Sequence, residues 1–130
     1  SSAAADVYKR QEYEYDEKFI SESRRYFESG EQTTVIALDG QTPVGCASLS
    51  YIWIMPTFSH PTGNRAHLMN VYTRADHRRS GISKKMVEIL IEEAKENGVT
   101  EISLDATEMG RPLYEALGFQ ASDSCMTMEL

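Results

Sequence analysis

A short basic turn between an apolar run and an amphipathic one constrains this chain more than any other stretch. Leu68-Met69-Asn70-Val71-Tyr72-Thr73 reads as a strand, Arg78-Arg79-Ser80-Gly81-Ile82-Ser83 as the turn, and Ile82 to Asn97 as the helix behind it. On that helix Ile82, Met86, Ile89, Leu90 and Ala94 mark one stripe, widened by Val87 and Ile91. Glu88, Glu92, Glu93, Lys95 and Glu96 cover the other side, and Asn97-Gly98 supplies residues suited to a left-handed stop. Ser80 is the expected N-cap, its hydroxyl accepting from a free amide of the first turn. Gly81 has no Cβ and lets a ligand approach the backbone. The unpaired N–H groups and the positive end of the helix dipole then form an anion site. Between Arg74 and Lys85 the basic residues Arg74, Arg78, Arg79, Lys84 and Lys85 stand against Asp76 alone, a local balance of +4 in a chain of net charge −7. A basic pocket on an acidic protein predicts a specific anion, and a multiply phosphorylated one fits best. The turn is neither a Gly-x-x-x-x-Gly-Lys-Ser/Thr loop nor a Gly-x-Gly-x-x-Gly dinucleotide turn.

The rest of the composition narrows the class. A length of 130 residues with 41% hydrophobic and 25% charged residues is that of one globular domain with a real core. No apolar run approaches the ~20 residues of a membrane span, and no signal peptide is evident. The acidic balance, ordinary for a bacterial cytosolic domain, argues against nucleic acid, whose phosphate backbone needs a broad basic face. It suits a cationic or amine-bearing substrate. Cys46 and Cys125 lie far apart, form no Cys-x-x-Cys motif and fall in expected strands, so buried free thiols in a reducing cytoplasm are expected. His60, His67 and His77 show no metal-ligand spacing, and no metal is expected.

Along the chain, residues 1–11 carry no hydrophobic pattern. Asp6 to Gln11 resembles the translation of a transposon-end adapter used in sequencing libraries, so Ser1–Gln11 is expected to be a non-native or disordered leader on a truncated gene. Residues 12–130 then form a single domain. Glu12 to Ser29 reads as a helix from the spacing of Tyr15, Phe19, Ile20, Tyr26 and Phe27, with Gly30 as its stop. Thr33–Leu38 and Val44 to about Ile54 form a hairpin across Asp39-Gly40. Met55–Asn64 is a loop, and Ala66–Thr73 is the strand already met. Thr100–Asp105 is a short strand, Arg111–Leu117 a short helix with Pro112 in its first turn, and Phe119–Leu130 one or two final strands. Early strands followed by β-α-β-α-β predict an α/β domain, a mixed sheet with helices on both faces.

Two motifs in order carry a family resemblance. Arg78, Gly81 and Ser83 fall on the marked positions of Arg/Gln-x-x-Gly-x-Gly/Ala, with Ser83 in place of the usual Gly or Ala. One helix and one strand later, Leu113-Tyr114-Glu115-Ala116-Leu117-Gly118-Phe119 is similar to Leu-Tyr-Glu-x-x-Gly-Phe. Together with Asn70-Val71-Tyr72-Thr73, they resemble the GCN5-related N-acetyltransferases (GNAT) over Thr33 to Leu130. The resemblance implies the acyl-CoA N-acyltransferase fold, a mixed and mostly antiparallel sheet that splays between the strands matched by Ala66–Thr73 and Thr100–Asp105. Acetyl-CoA enters that gap.

Carried over residue by residue, the resemblance implies that amides from Arg79 through Ser80, Gly81 and Ile82 to Ser83 hold the pyrophosphate, with Arg78 opening the loop. Val71 and Thr73 pair through their main chain with the pantetheine arm as a strand would. Val71 N–H points at the thioester carbonyl, and Tyr114 protonates the departing thiolate. Thr107 stands where relatives often have an Asn that contacts the CoA arm. For the general base, Glu108, Asp105, His67 and a water held by Asn70 are all conceivable routes, with Glu108 taken as the candidate because it lies just past a strand end. Tyr51, Trp53 and Phe58 flank the long loop and either line the acceptor pocket or pack on the sheet.

The expected activity is direct transfer of an acetyl group from acetyl-CoA to a primary amine of a small molecule or peptide. A longer acyl donor, or a non-catalytic CoA-binding sensor or partner module, are the alternatives. Relatives begin with a strand and helix that nothing before Glu12 supplies. The strand Thr33–Leu38 is therefore expected to present an open apolar edge and to favour association, a homodimer included.

Overall fold

The computed structural model describes residues 16–130. The leader Ser1–Gln11 and the expected helix residues Glu12–Tyr15 lie outside the described residues.

Helix α1 spans Glu17–Glu28 and is started by Asp16, whose carboxylate accepts from the Phe19 amide at 2.7 Å. Gly30, at φ +80°, turns the chain out of it. Tyr26 Oη donates to the Glu31 carbonyl at 3.1 Å and ties the helix to the strand after it. The helix buries none of its residues: Phe19, Ile20, Tyr26 and Phe27 stay exposed.

The sheet has four strands in the order β1 (Gln32–Asp39), β2 (Thr42–Trp53), β3 (Asn64–Thr73) and β4 (Glu101–Ser103). β1–β2 and β2–β3 pair antiparallel, and β3–β4 pair parallel. The mixed, mostly antiparallel sheet is therefore as expected. No strand pairs with the outer side of β1 among the described residues. Helix α2 (Ile82–Glu96) closes the parallel crossover from β3 to β4 and lies against β1, β2 and β3. Its Met86, Val87, Leu90 and Ala94 are buried against Ala47 and Leu49 of β2 and Ala66, Leu68 and Val71 of β3. Ile82 and Ile91 are half-buried beside them, while Ile89, expected on the stripe, is exposed. At 3.6 residues per turn Ile89 sits roughly 110° from the centre of the buried stripe, beyond the reach of the sheet. Gly98, at φ +77°, ends the helix as expected, and Val99 N–H closes onto the Ala94 carbonyl at 3.0 Å.

Strand β3 departs from a regular ladder on both of its sides. Opposite Ala47, the register jumps from Tyr72 to Met69, so Asn70 and Val71 together face one residue of β2. This is a β-bulge, and Asn70 takes it at φ +56°. On the other side, β4 is shorter than the expected Thr100–Asp105, because its ladder with β3 stops at the pair His67 and Ser103. Beyond that pair the strands part, and among the described residues no strand pairs with Leu68–Thr73 on its β4 side.

Helix α3 spans Arg111–Ala116 with Pro112 in its first turn, and Gly118 comes after it at φ +101°. Beyond this point the expected final strands do not form. Residues 120–130 make no ladder, and Met126, Met128 and Leu130 are largely exposed. The run Ser122-Asp123-Ser124 turns on itself, with the two serine hydroxyls 2.8 Å apart, and the short β4 offers little edge to extend. Cys125 in this segment is consequently exposed rather than buried, whereas Cys46 is half-buried in β2. No helix among the described residues is long and apolar enough to cross a membrane.

Candidate active site

The basic turn begins where β3 ends. Thr73 is buried; its Oγ1 lies 2.6 Å from Ser83 Oγ, and its carbonyl accepts from Arg78 Nε at 3.0 Å. Arg78 also lays its guanidinium over the Tyr72 ring, 5.8 Å from the centroid. Ser83 therefore pins the first turn of α2 to the end of β3, and Arg78 braces the loop from the other side.

Ser80 does not cap α2. Its hydroxyl donates back to the His77 carbonyl at 2.6 Å, and the N-cap position falls to Gly81 at φ +83°. The hydroxyl turns away because Arg79, at φ +64°, reverses the backbone just ahead of it. The consequence favours an anion site: among the described residues no side-chain cap bond closes the start of α2. Arg79 and Gly81 both take left-handed backbone, at φ +64° and +83°. A Cβ built on Gly81 meets nothing within 4 Å, so the space over this backbone is open.

His77, in the short 3-10 turn Ala75–His77, carries a carboxylate on each ring nitrogen. Asp39 Oδ2 lies 3.0 Å from Nε2 and Asp76 Oδ1 lies 2.9 Å from Nδ1. Its pKa is raised, first by the hydrogen bond to Asp39 and then by that to Asp76, and that of Asp76 is lowered, first by its bond to His77.

At the bulge, Cys46 Sγ donates to the Asn70 carbonyl at 3.3 Å. Val71 belongs to one buried cluster with Met86, Leu90 and Tyr114 of α3. Tyr114 is 4% exposed and packs edge-on against Phe119, ring centroids 5.8 Å apart. Burial raises its pKa, so the phenol, already neutral at pH 7, holds its proton more firmly. Thr107 acts on α3: its hydroxyl accepts from the Gly110 amide at 3.1 Å and starts the turn.

Glu108 is not brought to this cluster. Its carboxylate is 93% exposed and pairs at 3.7 Å with Arg111 of its own turn. His67 is the last residue of β3 that pairs with β4. Its Nδ1 is 2.7 Å from Ser103 Oγ and its Nε2 3.7 Å from Asp105. The aromatics split as well. Tyr51 and Trp53 line a shallow cavity with Gly30, Glu31, Asn64 and Asn97, while Phe58 is fully exposed. Since Trp53 pairs with Asn64 and Gly45 with Thr73, that cavity lies at the opposite end of the sheet from the basic turn, roughly 30 Å away at ~3.3 Å per strand residue. Among the described residues no group of three or more His, Cys, Asp or Glu is placed to hold a metal ion.

The model of the acetyltransferase (GNAT) family matches residues 3–119 of this chain. The chain belongs to the GNAT family. A glucosamine 6-phosphate N-acetyltransferase of Trypanosoma brucei brucei is 35% identical over 89 residues, which are 67% of this chain and 57% of that protein. An aminoglycoside N(6')-acetyltransferase of Acinetobacter genomosp. 13 is 28% identical over 116 residues, 85% of this chain and 77% of that one. The aligned stretch thus spans little more than half the length of the first of these relatives. Among solved structures, a predicted acetyltransferase from Clostridium acetobutylicum, determined with acetyl-CoA, matches at a TM-score of 0.83 and 28% identity, covering 98% of this chain and 86% of that one. A GCN5-related N-acetyltransferase from Ralstonia eutropha matches at 0.74 and 25%, covering 94% and 85%.

The sequence motifs point to Tyr114 and the loop. They carry no sign of the Ser83–Thr73 bond, the Arg78 brace or the two carboxylates on His77, because each joins residues whose contact depends on the fold.

Proposed function

We propose that this GNAT chain transfers an acetyl group from acetyl-CoA directly to a primary amine, without a covalent enzyme intermediate. One observation carries the reading: among the described residues β3 runs, unpaired on its β4 side, from a bulge at Asn70-Val71 into a turn and a helix start that no side chain caps. A strand-like arm ending in a pyrophosphate fits that edge and that turn, and the open space over Gly81 leaves room for it.

Acetyl-CoA supplies the activated acyl group. Amides from Arg79 to Ser83 hold its pyrophosphate, with Lys84 and Lys85 adding charge, and the main chain of Val71 and Thr73 aligns its arm. Val71 N–H donates to the acyl oxygen as charge builds there during attack. Tyr114, a neutral phenol whose pKa burial raises further, gives its proton to the sulfur as the C–S bond breaks, so CoA leaves as the thiol. Thr107 shapes the turn beside it. The amine must lose one proton, and His67, whose Nδ1 lies 2.7 Å from Ser103 Oγ, is the relay we favour over the solvated Glu108. Neither cysteine is needed as a nucleophile. Cys46 Sγ is engaged with the Asn70 carbonyl and Cys125 lies in the exposed C-terminal segment.

Amino sugars are the first acceptors to try, since relatives act on glucosamine 6-phosphate and on aminoglycosides. The test is thiol release from acetyl-CoA with a panel of these amines, free amino acids and peptides. Amine-dependent release is expected. Tight CoA binding with no release on any amine would reduce the chain to a binding module.

A further inference from the structure

We infer that His77 is a positioning residue for the anion loop, acting as an imidazolium that clamps the loop to the β1–β2 hairpin. A neutral imidazole has one N–H and one lone pair. It can satisfy one carboxylate, but its lone pair then faces the other at about 3 Å. With Asp39 at 3.0 Å and Asp76 at 2.9 Å, only the doubly protonated ring meets both with a donor. Asp39 comes from the end of β1 and Asp76 from the turn itself, so the ring joins two elements far apart in sequence. Arg74 completes the cluster, donating to Asp76 at 3.2 Å.

The clamp reaches the loop through one further bond. The His77 carbonyl receives the Ser80 hydroxyl at 2.6 Å, and Ser80 sits between the left-handed residues Arg79 and Gly81. Asp39, His77, Ser80 and the loop backbone form one chain of contacts. Losing the ring proton breaks its first link and removes a positive charge beside the anion site. The clamp is therefore closed while the ring is protonated and both carboxylates are ionised, and it opens as pH rises through the titration of His77, which lies above that of an ordinary histidine. Asp39, Asp76 and Arg74 are the charged groups whose contacts with the ring or its carboxylates set that point.

The inference rests on the acetyl-CoA reading only for its consequence, so two arms test it on the full chain. In the first, with no ligand, the His77 ring and the amides of Arg79, Ser80, Gly81 and Ile82 are followed by NMR from pH 5.5 to 9. The amides are expected to move with the ring's midpoint, which lies above that of an ordinary histidine, and Asp39→Asn is expected to lower that midpoint. Amides that ignore the ring, or a midpoint indifferent to Asp39→Asn, would overturn the clamp. In the second arm, CoA is titrated calorimetrically at pH 6 and 8.5. Wild-type affinity is expected to fall several-fold more between those pH values than that of His77→Gln, whose phosphate-linked pH dependence is the same. Parallel dependence in the two proteins would also overturn it. A wild-type chain that binds no CoA at any pH would instead remove the acetyl-CoA reading, and the first arm would still decide the clamp.

Discussion

Replacing Gly81 by Ala separates the cost of its backbone conformation from the cost of losing its open space. At φ +83° a Cβ strains the backbone by about 1–2 kcal/mol, offset by roughly 0.4–1 kcal/mol from a less flexible unfolded chain. No clash adds to this, because the new carbon meets nothing within 4 Å. A net loss of about 1 kcal/mol lowers Tm by roughly 2–6 °C in a domain of this size. Gly30 is a matched control, at φ +80° with nothing within 4 Å of its added Cβ. The two variants should melt within a few degrees of each other. They should part on cofactor binding. The added methyl at position 81 stands over the amides assigned to the pyrophosphate, and losing one or two charge-assisted hydrogen bonds costs about 1.5–3 kcal/mol each. That is about 10- to 100-fold or more in Kd, whereas Gly30→Ala should leave Kd unchanged. Thermal melts and calorimetric titration with CoA read both quantities. Equal CoA affinity in the two variants would show that the open backbone at Gly81 is not where the anion sits.

Three further outcomes are expected. Tyr114→Phe removes a hydroxyl from a buried ring and leaves the packing on Phe119 intact; kcat should fall by roughly 10²-fold with CoA affinity near normal, and equal turnover across pH 6 to 9 would return Tyr114 to the core. Leu90→Ala empties a fully buried position between helix and sheet and should cost about 2–5 kcal/mol by denaturant unfolding. The His77 contribution to stability obeys linkage: its folded pKa is raised, so the stabilisation is complete below the unfolded value near 6.5 and is lost as pH rises through the folded one; Asp39→Asn should flatten that alkaline decline in Tm.

How much of the fold and site is legible in the sequence depends on whether the determinant is local. The helix α2 stripe, its Gly98 stop and the β1–β2 hairpin come from residue spacing and turn chemistry, and these elements lie within a residue or two of their expected bounds. The anion loop is legible for the same reason, but its cap is not. Ser80 has the right chemistry for an N-cap, and only the reversal at Arg79 turns its hydroxyl back to His77. The C-terminal segment fails in the opposite way. Met126, Met128 and Leu130 alternate as a strand does, yet a strand is made by its neighbour, and β4 stops pairing after Ser103. The same parting of β3 from β4 is the gap on which the proposed site depends. Asn70 shows why that gap cannot be read from pattern alone. Its left-handed backbone inserts an extra residue into β3, which puts Leu68 and Val71, odd in spacing for a strand, on one buried face. A period of two misses this, and a motif match finds it only by analogy. Residues whose conformation departs from the local rule, Asn70, Arg79 and Gly81, are thus the ones that shape the candidate site, as expected where strain is held for function.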